Sequence, residues 1–114
     1  MKYSVGVDLL FIPRIKKIIG ENKKFLNKVY TKKELDLAKT FSDPVLFYAT
    51  RFCAKEAIMK ATELQYDFLE IEILKEDTGK PIANIFHHPE IQISLSISYD
   101  TDYAICYVLI NKNE

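Results

Sequence analysis

Glycine and proline are scarce, with 3 and 4 in 114 residues. Beside 7 Tyr, 7 Phe and many Ile, Leu and Val, that scarcity excludes a disordered or low-complexity chain. No Gly/Ser/Pro linker and no internal repeat divides it, so residues 1–114 read as a single domain. No apolar run reaches the ~18 residues needed to span a bilayer. Asp8 and Arg14 stand where a signal peptide would be apolar, so the expected location is cytoplasmic, with no membrane partner. Cys53 and Cys106 are too few for a disulfide framework or a zinc site and read as reduced core thiols. The only histidines, His87 and His88, are adjacent and point different ways, which disfavours a metal site and leaves no Ser-His-acid set. Neither a Gly-x-Gly-x-x-Gly nor a Gly-Lys-Ser/Thr phosphate loop occurs. The Tyr and Phe residues fall mostly at apolar-periodic positions, as core residues do, so they do not form a nucleic-acid stacking platform.

What is present is a chain 48% hydrophobic and 28% charged, able to build a core and stay soluble. A chain this small exposes a large share of its surface, which favours an oligomer. Its net charge of zero hides an asymmetry: residues 1–60 carry 13 Lys/Arg against 6 Asp/Glu, and residues 61–114 carry 3 against 10. Either the two halves complement each other within the fold or across a subunit contact, or the basic half meets an anionic partner.

Tyr3, Val5, Val7 and Leu9 alternate with Ser4, Gly6 and Asp8, which predicts a strand over 3–11. Pro13 opens a short helix that Gly20 should end, and a second short helix is expected over 22–29. Thr31-Lys32-Lys33-Glu34 is a capping box for a helix to about Thr40. Ser42-Asp43-Pro44 starts the longest helix, expected to reach Leu64. The period then changes to two, and strands are expected over 69–73, 82–86, 91–98 and 103–110. Asp77–Pro81 has turn chemistry, and Asp100–Asp102 forms a tight connection between the last two strands. A strand, then helices, then strands indicates an α+β fold with helices packed on a largely antiparallel sheet.

Asp8 lies in an apolar strand, where a carboxylate either needs a metal, a cation or amides as partner, or faces solvent at an edge. Gly6, two residues earlier on the same face, removes bulk beside it. On the long helix Glu56 and Lys60 share one face, and Arg51 and Lys55 share a neighbouring one. This pattern suits an ordinary solvated helix with a Glu–Lys pair. Ala54, Ala57 and Ala61, however, let something pack closely along it. One Asp and one Glu are also the carboxylate count that suits Mg²⁺, which fills its other positions with water and phosphate oxygens. Lys60, Lys55 and Arg51 would then be phosphate partners.

Gly6-Val7-Asp8-Leu9-Leu10-Phe11-Ile12-Pro13-Arg14-Ile15 resembles the opening motif of the holo-acyl-carrier-protein synthases, the small trimeric 4′-phosphopantetheinyl transferases. The segment from Phe25 to Leu35 resembles the stretch that follows it. Arg51-Phe52-Cys53-Ala54-Lys55-Glu56-Ala57-Ile58-Met59-Lys60-Ala61 resembles the second signature of that family, and Asp77–Pro81 a turn before a strand. The resemblance implies a trimer with sites at subunit interfaces. It implies Mg²⁺-dependent transfer of the phosphopantetheine arm of coenzyme A to a serine of an acyl-carrier protein, with 3′,5′-ADP leaving. Asp8 and Glu56 would be the metal ligands. Arg51, Lys55, Lys60, Lys80, Pro81 and Tyr99 would contact coenzyme A. Either Glu56 or Lys60 would take the serine proton, and Arg14, Lys16 and Lys17 would meet the acidic carrier.

Two positions depart from the pattern. Thr62-Glu63-Leu64-Gln65-Tyr66-Asp67 stands where the family usually has a Gly-rich turn, and Tyr99 stands in place of a His. Both fall on coenzyme A binding, not on the metal pair. They favour a second reading, a diverged non-catalytic member that binds an acidic carrier or a nucleotide. A small RNA-binding domain is disfavoured because no nucleic-acid motif is present.

Overall fold

The computed structural model describes residues 2–112. Strand β1 (Lys2–Phe11) is followed by helices α1 (Ile12–Glu21), α2 (Phe25–Val29), α3 (Lys32–Ala38) and α4 (Pro44–Thr62). A 3-10 turn at Phe68–Glu70 leads into β2 (Ile71–Lys75), β3 (Pro81–Ile85), β4 (Ile91–Asp100) and β5 (Tyr103–Lys112). The α+β order is as expected, but the strands form two antiparallel sheets, β1-β5-β4 and β2-β3. The sheets adjoin along β3 and β4 without a hydrogen-bonded ladder between them.

The predicted caps form. Thr31 Oγ1 accepts from the Glu34 amide (3.2 Å), and Glu34 Oε1 accepts from the Thr31 amide (2.8 Å). Asp43 Oδ1 accepts from the Leu46 amide (3.1 Å) and starts α4. Gly20 does not end α1, which continues through Glu21. Residues 22–24 make a turn held by Asn22 Oδ1 before the shorter α2, and Leu69 lies in the 3-10 turn, not in β2. Helix α4 stops at Thr62 because Glu63 adopts the left-handed conformation (φ 62°).

Helix α4 is central, not a solvated helix: one side packs on β1 and β5, the others on α1, α3 and β2. Its small residues serve β1. A Cβ on Gly6 would lie 2.2 Å from the Ala57 carbonyl oxygen and 2.7 Å from the Ala61 nitrogen, so only glycine lets the strand approach this closely. Cys53 Sγ donates to the Asp8 carbonyl (3.2 Å) and tightens the same contact. Ser4, Gly6, Asp8 and Leu10 therefore face the helix. The apolar alternants face out, with Val5 55% and Leu9 65% exposed. Tyr103, Ile105 and Tyr107 of β5 extend this outward apolar face.

On its other side α4 carries a buried ion pair. Lys55 Nζ donates to Glu34 Oε1 (2.7 Å) and to the carbonyls of Val29 (2.6 Å) and Phe68 (3.0 Å). Glu34 Oε2 accepts from the Ile73 amide (2.7 Å), and both side chains are fully buried. Burial lowers the Lys55 pKa, and Glu34 opposes that shift. Removing one partner strands a charge. Lys55→Met should cost about 3–5 kcal/mol in urea unfolding, with Glu34→Leu in the same chain restoring much of it. A single variant within ~1 kcal/mol of the native chain would show that the pair does not hold this region together.

Candidate active site

Two groups of side chains gather on α4. In the first, Asp8 on β1 meets Glu56 and Lys60. Lys60 Nζ lies 3.0 Å from Asp8 Oδ1 and donates to the Val7 carbonyl at 3.1 Å. Asp8 keeps only 15% of its side chain exposed, against 57% for Lys60. The Asp8 carboxylate is therefore neither at a solvated edge nor alone. Glu56 is half-buried. Burial and then the Asp8 charge push its carboxyl pKa up, and Lys60 partly offsets them. Glu56, Lys60, Met59 and Tyr66 line a groove of about 460 Å³.

Two neighbouring carboxylates, one of which the other makes costlier to ionise, offer oxygen donors only and fit a hard divalent cation that keeps water and takes phosphate oxygens. No group of three or more His, Cys, Asp or Glu gathers among the described residues, so the carboxylate pair is what the protein offers a metal here. The residues present fit Mg²⁺.

The second group is a cleft of about 300 Å³ where Arg51, Pro81 and Tyr99 meet, together with Phe41, Asp43 and Thr50. Arg51 is 8% exposed and its guanidinium lies 4.4 Å above the Phe47 ring. Its one hydrogen bond is from Nη1 to Thr50 Oγ1 (3.4 Å), and its Nε has no partner among the described residues. Burial lowers its pKa, yet a guanidinium stays charged. A buried cation with an unused donor at a cleft wall suits an anion. Lys80 is exposed between the lining residues Gly79 and Pro81.

Three predictions of contact need comment. Lys55 is not a coenzyme ligand: its ammonium has no exposed surface, and its three donors are spent on Glu34 and two carbonyls. Lys16 parts from Arg14 and Lys17. It lines a groove of about 420 Å³ with Pro13, Asp43 and Tyr99, next to the Arg51 cleft, while Arg14 and Lys17 are exposed on α1. Arg51 and Lys60, nine residues apart on α4, sit about two and a half turns from one another and so on opposite faces. Phe41, Phe47 and Thr50 of the cleft had no sequence signal beyond apolar or capping patterns.

The family profile described as the 4′-phosphopantetheinyl transferase superfamily matches residues 4–108. The chain belongs to that superfamily. It is 40% identical over 121 aligned positions to a holo-[acyl-carrier-protein] synthase of Wolbachia pipientis subsp. Culex pipiens, covering 96% of this chain and 98% of the relative. It also resembles the crystal structure of a holo-(acyl-carrier-protein) synthase from Bacillus anthracis in complex with CoA (3′,5′-ADP), with TM-score 0.85, 32% identity and 96% of each chain covered. A Helicobacter pylori holo-[acyl-carrier-protein] synthase in complex with coenzyme A gives TM-score 0.79 at 31% identity, over 94% of this chain and 99% of that one. The transferase fold thus agrees with the α+β reading.

The raised Glu56 pKa has a consequence for this transferase. Ionising Glu56 costs the folded state stability once the pH passes the ordinary carboxylate range, and nothing when both states are protonated. Glu56→Gln should raise Tm at pH 7, by roughly 1–3 °C, and leave it unchanged at pH 4. Millimolar Mg²⁺ should raise Tm of the native chain but of neither Glu56→Gln nor Asp8→Asn. Equal Mg²⁺ shifts in all three would remove these carboxylates from the metal site.

Proposed function

We propose that this chain is a Mg²⁺-dependent holo-[acyl-carrier-protein] synthase, moving the 4′-phosphopantetheine group of coenzyme A to a serine of apo acyl-carrier protein and releasing 3′,5′-ADP. The observation that carries this reading is the meeting of Asp8, Glu56 and Lys60 across the β1–α4 contact. Mg²⁺ held by Asp8 and Glu56 would neutralise charge on the pyrophosphate oxygens. Lys60 adds a cation to the same groove. Glu56, through a water, or Lys60 takes the serine proton, since both line the same groove. Arg51 binds a phosphate of the nucleotide end, with Lys80, Pro81 and Tyr99 beside it and Lys16 in the adjoining groove. Exposed Arg14 and Lys17 meet the acidic carrier.

The opposed positions of Arg51 and Lys60 on α4 support a site shared between subunits of a homotrimer, one giving Asp8, Glu56 and Lys60 and the next giving the Arg51 cleft. The outward apolar face of β1 and β5 suits the subunit contact. No described helix is long and apolar enough to cross a membrane, and the two buried thiols fit a reducing cytoplasm; burial raises the pKa of both, Cys106 to about 12.

Incubation with coenzyme A, Mg²⁺ and an apo carrier should add one phosphopantetheine to the carrier by intact mass. Binding without that gain would favour the non-catalytic reading. Asp8→Asn should lower the rate roughly a thousandfold with the fold intact. The shared site has its own test. Asp8→Asn and Arg51→Met should each be inactive, and oligomers reassembled from equal amounts should regain about a quarter of native activity, the share of sites with both halves native. No regain would place each site within one subunit.

A further inference from the structure

We infer that the chain also takes 3′-dephospho-coenzyme A as a donor of phosphopantetheine, with little preference for coenzyme A; this rests on the reading that the Arg51 cleft receives the nucleotide end. The two donors differ by one group, a ribose phosphate that carries about two negative charges at neutral pH. A site that selects for such a group needs cations in excess of anions around it. The cleft has no such excess. Of the described residues lining it, only Arg51 and Asp43 carry charge, one of each sign. They form no ion pair with each other, so both charges act on whatever enters. The Asp43 carboxylate is also anchored, through Oδ1 on the Leu46 amide (3.1 Å). The adjoining groove sets Lys16 against Asp43 and Asp102, and its balance is negative. Lys75 and Lys80 lie outside the lining of the cleft and are exposed, where a flexible ammonium gains little from a contact.

The start of α4, an anion site when its amides are free, is closed as well. Pro44 has no amide hydrogen, the Leu46 amide goes to the Asp43 side chain, and the Phe47 amide goes to the Asp43 carbonyl. Tyr99 adds a hydroxyl without a charge. What the cleft does offer is the rings of Phe41, Phe47 and Tyr99, and these suit the base that both donors share. Arg51 gives a ribose phosphate one partner, and Asp43 opposes it. In transfer from the dephospho donor, the carrier serine oxygen bonds to the phosphorus on the pantetheine side. The bond from that phosphorus to the bridging oxygen breaks, and AMP leaves with the electron pair. The serine proton passes to the same groups that receive it in transfer from coenzyme A.

Calorimetric titration of the full chain in millimolar Mg²⁺ compares the donors, using 3′-dephospho-coenzyme A freed of coenzyme A by chromatography. The two Kd values should differ by less than about tenfold. With an apo carrier, intact mass should show the same gain from either donor, and AMP should appear in place of 3′,5′-ADP. Asp43→Asn keeps the helix cap, which Asn serves as well as Asp, and removes the charge; it should raise the preference for coenzyme A about fivefold. A native preference for coenzyme A of about tenfold or more would overturn the inference, as would an unchanged preference in Asp43→Asn or no transfer from the dephospho donor. Failure of coenzyme A itself to bind or to donate would instead overturn the function proposed above.

Discussion

The buried Lys55–Glu34 pair is the constraint on which the rest of the structure depends. It satisfies, at one point, the carbonyl of Val29 at the end of α2, the capping amide of Thr31, the carbonyl of Phe68 and the amide of Ile73. Burying two charges is costly, and the cost is offset only because every donor and acceptor has a partner. The Tyr30 ring, 5.5 Å from the ammonium, adds to the enclosure, and burial in turn pushes the Tyr30 hydroxyl pKa up. Two stretches distant in sequence, 29–34 and 68–73, are thereby joined to α4 through Lys55 and Glu34. Since α4 carries Arg51, Glu56 and Lys60, fixing its rotation at Lys55 fixes where each of them points.

Gly6 sets the second coordinate. The pair fixes α4 about its axis, and the Gly6 contact fixes its distance from β1. Asp8 lies two residues further along the same face of the strand, so the approach of the backbones decides whether its carboxylate reaches Lys60 and Glu56. A methyl group at residue 6 would have to displace helix backbone and not a flexible side chain, and overpacking of that kind costs about 1–3 kcal/mol or more. The electrostatics of the site thus rest on a steric fact at an uncharged residue.

Much of this was legible because it is written locally. The Thr31–Glu34 box, the Asp43-Pro44 start and the Asp100–Asp102 connection are short-range signals, and each appears where its chemistry requires. Asp8 stood out because charge in an apolar strand needs a reason, and Glu56 and Lys60 because their spacing puts them on one helix face. Lys55 was misread as a ligand because a capping glutamate shows no trace of its second partner; Glu34 and Lys55 are 21 residues apart, and only the tertiary fold joins them. The split into two sheets and the direction of the apolar face of β1 were equally hidden. Alternation tells that two faces differ, not which of them meets a helix.

That outward face bears on the subunit question in a way composition does not. A monomer of 13.3 kDa exposes about 6,500 Å² on average, whereas this protomer exposes 7124 Å². Tyr3, Val5, Val7, Leu9 and Tyr107 are among the large apolar side chains left exposed. The sheet could have turned these residues inward only by turning Gly6 and Asp8 outward, which would have removed both the close helix contact and the carboxylate from the site. Placing Asp8 against α4 therefore forces the apolar alternants of β1 to the surface. In the proposed homotrimer another copy of the chain would cover them and would also supply the Arg51 cleft that α4 turns away from Lys60. One alternation in one strand, with Gly6 and Asp8 on its inner face, thus links the proposed metal site to the proposed subunit contact.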